Sequence, residues 1–136
     1  HKRLRTGPRE PALRQARVCY DHLAGDAGVA LFDSLTARRL IAVRDDGLAL
    51  TGKGAAFMRE FGLDPDALAS PRRPLCKSCL DWSVRRSHLA GTLGAALLRR
   101  LYDLKWARRE EGTRIVAFTP RGRANFEKTF GALAEV

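Results

Sequence analysis

Apolar residues step at intervals of three and four through Leu13, Ala16, Tyr20, Leu23 and Ala27, then through Leu31, Phe32 and Leu35. That spacing predicts an amphipathic helix. Gly25 and Gly28 interrupt it, so a bend or break is expected there. A second stripe runs through Leu89, Leu93, Ala96, Leu97, Leu101 and Leu104. Each stripe is followed by two short apolar runs around a turn: residues 40–43 and 48–50 flank Asp45-Asp46-Gly47, and residues 106–109 and 114–118 flank Glu110-Glu111-Gly112. Such pairs predict β-hairpins. A further helix is expected after each, with Thr51 and Thr119 as N-caps, Pro120 in the first turn, and Gly62 and Gly131 at the C-terminal ends.

The two halves repeat one another. The phrase HLAG begins at His22 and again at His88, an offset of 66 (88 − 22). At that offset Gly28 matches Gly94, Ala30 matches Ala96, Leu31 matches Leu97 and Leu35 matches Leu101, while Arg85 falls opposite Cys19. After two extra residues, ALTGKG (residues 49–54) aligns with AFTPRG (residues 117–122). Helix, hairpin, helix is the latter part of a winged-helix unit. The expected fold is mostly α with short β-hairpins (α+β), built as two tandem winged-helix-like repeats. Residues 1–10 form a basic linker or arm, 11–68 the first repeat and 69–136 the second. The opening HKRLRTGPREP has no initiator Met, which suggests a part cut from a longer protein.

Charge sharpens this picture. The formal net charge is +10, distributed as +5 over residues 1–17, −3 over residues 18–68 and +8 over residues 69–136. A basic arm and a basic second half suit a phosphate surface. In the second repeat Arg99, Arg100, Lys105, Arg108, Arg109 and Arg114 are the candidate DNA-binding residues, because arginine pairs with phosphate or guanine through two parallel hydrogen bonds. In the first repeat Arg38, Arg39 and Arg44 are offset by Asp26, Asp33, Asp45 and Asp46, which points to packing or dimerisation. The aromatic residues, among them Tyr20, Phe57, Phe61, Trp82, Trp106, Phe118, Phe126 and Phe130, read as core, since no basic–aromatic alternation suggests base stacking.

The strings LRQARVCYDHLAGDAGV and PLCKSCLDWSVRRSHLAGTLGAAL, with the two LT/FT-x-x-G turns, resemble the C-terminal region of two-domain bacterial regulators of the ArsR type, the arsenic-repressor-like winged-helix transcription factors. The resemblance covers nearly the whole chain. It implies transcriptional regulation, a homodimer, double-stranded DNA as partner and a cytoplasmic location. The resemblance also implies a DNA-reading domain N-terminal to this region; the metal-binding motif of the typical ArsR recognition helix belongs to that domain and is not carried over.

Three cysteines is an odd number, unsuited to a disulfide framework. Cys19, His22, Cys76 and Cys79 together supply three thiols and one imidazole, a sufficient set for tetrahedral zinc. Against this stands the reading of all three thiols as buried apolar residues, and behind it that of Cys76 and Cys79 as a redox pair. No cofactor is expected apart from that zinc. The chain carries no phosphate loop, nucleophile elbow or HExxH helix, and it reads as a non-enzyme. Two functions remain in competition. The chain either dimerises and positions a DNA-binding regulator, adding phosphate contacts, or senses a metal, small ligand or protein that modulates DNA affinity. No apolar run reaches membrane-spanning length, so no membrane partner is expected.

Overall fold

The computed structural model describes residues 10–81 and 86–133; the arm over residues 1–9, Trp82 and Arg85 lie outside these. The fold is α+β, with every strand in a two-stranded antiparallel hairpin. After a short helix α1 (Pro11–Gln15), the first copy runs β1 (Arg17–Cys19), β2 (His22–Ala24), α2 (Gly25–Ala37), β3 (Ile41–Arg44), β4 (Gly47–Leu50) and α3 (Gly52–Glu60). Helix α4 (Pro65–Leu68) leads to the second copy: β5 (Lys77–Leu80), β6 (Ser87–Ala90), α5 (Gly91–Asp103), β7 (Ala107–Arg109), β8 (Val116–Phe118) and α6 (Pro120–Phe130). The repeating unit is therefore hairpin, helix, hairpin, helix.

This corrects the helix expected through residues 16–24. Those residues form the β1–β2 hairpin, and HLAG is a strand that feeds a helix rather than a helical phrase. Tyr20, expected to extend the apolar stripe, is the turn tip, 86 % exposed at φ +59°. Arg17, Val18, His22, Leu23 and Ala24 are buried without the gaps of a one-faced helix, as in a strand covered on both sides. The strand turns into a helix at Gly25 and Gly91, whose φ values of +80° and +87° favour glycine. Leu89, read as helical, likewise lies on β6.

The later part of each copy follows its sequence pattern closely. The Thr51 and Thr119 hydroxyls accept from the Gly54 and Gly122 amides, each at 2.9 Å, and Pro120 opens α6. Gly131 caps α6, and Gly62, at φ +96°, follows Phe61, the C-cap of α3. Helices α2 and α5 end alike: Arg39 and Lys105 take left-handed φ values of +59° and +62°, and the next amides, of Leu40 and Trp106, return to the Leu35 and Leu101 carbonyls.

The copies pack reciprocally. Helix α2 lies against β6, and α5 against β2. A Cβ at Gly28 would press into the Leu23 backbone and stand 3.3 Å from the His88 Cβ; one at Gly94 would press into the Leu89 backbone and stand 3.4 Å from the His22 Cβ. The same small residue thus lets each helix close on the other copy's histidine. Strand β1 also bonds to the chain before β8, where the Val18 amide donates to the Arg114 carbonyl (2.8 Å) and Arg17 bridges Ile115.

One apolar cluster serves both halves, with Leu23, Leu31 and Leu35 from the first and Leu89, Leu93, Leu97 and Leu101 from the second. Each such leucine contributes about 1.5–3 kcal/mol relative to an exposed one. Helix α5 is central: Leu93 through Leu98 are all buried, so the expected stripe is widened to a full girdle over its first turns. Phe61 meets Phe130 and Trp106 at centroid separations of 5.6 and 5.7 Å, which ties α3 to α6. Apart from the exposed Tyr20, the described aromatic residues are at least partly buried.

Candidate functional site

The repeat places two histidines at the meeting point of the copies. His22 and His88 are 4 % and 1 % exposed, and their Nε2 atoms are 3.0 Å apart. Each histidine has a cysteine as its cross-strand partner: Cys19 pairs with His22 across β1–β2, and Cys79 with His88 across β5–β6. Directly opposed residues in a hairpin hold their Cβ atoms about 4.5–5.5 Å apart. Two hairpins brought face to face therefore assemble two thiols and two imidazoles. One donor atom from each of the four residues lies within 4.8 Å of all the others.

Both imidazoles are oriented by carboxylates. Asp81 Oδ1 lies 3.0 Å from His88 Nδ1, and Asp21 Oδ1 lies 3.3 Å from His22 Nδ1. A carboxylate accepts, so each one favours the ring tautomer that carries its hydrogen on Nδ1 and leaves Nε2 as a lone pair directed inward. Each carboxylate is matched by an arginine, Arg73 at 2.9 Å from Asp21 and Arg17 at 3.5 Å from Asp81. Asp81 is fully buried and also accepts the Gly25 amide at 2.6 Å, so it fixes both His88 and the start of α2.

The surroundings disfavour added charge on this group. Burial holds the His22 imidazole below its ordinary value, although its bond to Asp21 pulls the other way. Burial, and then the neighbouring Cys19 sulfur, raise the Cys79 thiol above its ordinary value. His22 and Cys79 also line a cavity of about 280 Å³ bordered by Tyr20, Arg73 and Pro74.

Of the four residues expected to gather, Cys19, His22 and Cys79 do so. Cys76 does not: it is 7 % exposed within the apolar cluster, and burial pushes its thiol up to about 11. Residues three apart in extended chain point to opposite faces, so Cys76 and Cys79 diverge at the start of β5. The fourth member is His88, which lies outside the set of Cys19, His22, Cys76 and Cys79 read from the sequence. At the fixed offset of 66 (88 − 22), Arg85 rather than a cysteine falls opposite Cys19. The hairpin register instead matches Cys79 to Cys19, because nine positions separate Cys79 from His88 and only three separate Cys19 from His22. Allowing an insertion inside the turn would have found it.

The arginines expected to face DNA separate into two groups. Arg99, Lys105, Arg108, Arg109 and Arg114 are exposed, with Arg108 and Arg109 on β7 and Arg114 in the loop before β8. Arg109 Nε donates to the Thr113 carbonyl at 2.8 Å within that hairpin. Arg100 is engaged internally: its Nε donates to the Phe61 carbonyl at 2.6 Å and its guanidinium lies 6.0 Å from the Phe61 ring centroid. Helix α5 shows solvent only a narrow edge around Arg99 and Asp103. No helix among the described residues is long and apolar enough to cross a membrane.

The chain is 38 % identical over 127 residues, 93 % of its length, to the uncharacterized HTH-type transcriptional regulator YdfF of Bacillus subtilis (strain 168). It spans 56 % of that protein's length. No family model matches the chain, and no solved structure matches it significantly. By sequence, then, these paired hairpin–helix units are related to a bacterial helix-turn-helix transcription regulator.

Proposed function

We propose that this chain serves a cytoplasmic transcription regulator of the arsenic-repressor-like type, pairing two copies of the regulator and positioning its DNA-reading domain. The observation that carries this reading is the similarity to an HTH-type regulator along 93 % of the chain. The exposed Lys105, Arg108, Arg109 and Arg114 of the second copy supply a phosphate-binding edge beside that domain. The corresponding hairpin of the first copy turns on Asp45 and Asp46, which repel phosphate.

Fluorescence anisotropy of the chain on duplex DNA tests the contact. Four neutralised phosphates give a slope of about −3.6 in log K against log salt, and Arg108→Ala with Arg109→Ala flattens it by about 2. No binding at low salt would remove phosphate contact from the reading. Sedimentation of the chain as a monomer at micromolar concentration would remove pairing.

A second reading is favoured by the thiol–imidazole group between the copies. Here the chain is an effector-sensing module whose ligand changes DNA affinity through a coupling free energy.

A further inference from the structure

We propose that Cys19 Sγ, His22 Nε2, Cys79 Sγ and His88 Nε2 form a tetrahedral site for one zinc-class divalent ion, which joins the two copies at their shared axis. The proposal concerns this chain alone and stands whether or not the chain touches DNA.

Four independent features converge on it. The donors are two soft thiols and two imidazoles, the set that suits zinc in closed sites. They come in matched pairs, one cysteine and one histidine from opposed positions of each hairpin, so the symmetry that builds the core also builds the site. Zinc bond lengths place tetrahedral ligands about 3.3–3.8 Å apart. The nitrogens at 3.0 Å and the remaining donors within 4.8 Å bracket that range, so the four need only adjust by about an ångström or less on binding. Finally, both histidines carry a carboxylate on Nδ1, the arrangement that fixes the ring and leaves Nε2 to bind metal.

Electrostatics favours the same conclusion. Two Nε2 lone pairs facing each other at 3.0 Å repel, and a metal ion, a shared proton or a neutral Nε2–H on one ring would each relieve this; only the metal leaves both Nδ1–H groups on their carboxylates without adding a cationic histidine. A dication bound by two thiolates is neutral as a unit. Binding releases the two thiol protons to solvent, so charge is conserved and affinity rises with pH. The cavity lined by His22 and Cys79 gives the ion a path inward.

Cobalt(II) titration of the reduced, metal-free chain is the direct test. The expected result is saturation at about one cobalt per chain, with the intense visible bands of a tetrahedral site and near-ultraviolet thiolate charge transfer, both abolished by one equivalent of zinc. Cys19→Ser, Cys79→Ser and His88→Gln each weaken cobalt binding by more than about 100-fold, whereas Asp81→Asn, which only orients His88, weakens it about 10- to 100-fold. Cys76→Ser leaves both the spectrum and the affinity unchanged.

Weak octahedral bands or no saturation in the parent chain would overturn the proposal without recourse to any variant. So would a spectrum lost in Cys76→Ser but kept in His88→Gln. Aerobic protein that forms a Cys19–Cys79 disulfide and, once reduced, takes up no cobalt would make the pair a redox element instead.

Discussion

The two copies share their interior and differ at their surface. Both place a histidine after a cysteine across a hairpin, turn into a helix at a left-handed glycine, and press a second glycine against the partner's histidine. Outside, the first copy's second hairpin closes tightly with Asp45 and Asp46, while the second copy's is wider and carries Arg108, Arg109 and Arg114. The internal features depend on each other through contact and resist separate change. The surfaces have no such tie, and one copy could acquire basic charge while the other became acidic.

The sharpest break in this symmetry lies behind the histidines. Asp81 is fully buried and supports His88, Arg17 and Gly25 together, whereas the Asp21 side chain is 31 % exposed. Asp81→Ala should cost about 3–5 kcal/mol, because it removes a buried carboxylate that holds His88 Nδ1, the Gly25 amide and Arg17 together. Asp21→Ala should cost no more than about 1 kcal/mol, since its partner Arg73 remains hydrated. Urea unfolding midpoints of the two variants measure the difference. Equal losses would mean that the two carboxylates do equivalent work.

The glycine pair tests what the copies share. A Cβ at Gly28 or Gly94 runs into backbone that cannot rotate aside, so each Gly→Ala change should destabilise by about 1–3 kcal/mol, and by similar amounts. Unfolding midpoints again decide: a large loss at one position and none at the other would mean that the reciprocal packing is not energetically symmetric.

The smallest effect concerns Cys76, which stands where the first copy has the buried Ala16. Cys76, buried with its thiol pushed up to about 11, should react with iodoacetamide far more slowly at about pH 8 than in urea. Peptide mass spectrometry of the alkylated chain measures this. Prompt native labelling of Cys76 would place it outside the core.

Much of the fold was legible because its signals are local. Thr51 and Thr119 cap the helices predicted after them, and the hairpin expected around Asp45-Asp46 forms. Residues 16–24 were not legible in the same way. Their spacing suits a helix, and only burial from both sides makes them strands. Half of the histidine–cysteine group was visible in Cys19-x-x-His22. The other half was concealed by a longer turn, which moved Cys79 off the constant offset.

By itself the amino-acid sequence determined that this chain repeats one unit, where its later hairpins and capped helices fall, and that basic charge gathers in its second half. These depend on neighbours a few residues apart, whose propensities act wherever the unit is placed. Tertiary structure alone decided that His22 meets His88, that Cys79 rather than Cys76 joins them, and that Arg100 turns inward to Phe61. Such contacts join residues 39 to 66 positions apart, and they follow from how two apolar faces close on each other rather than from any local preference.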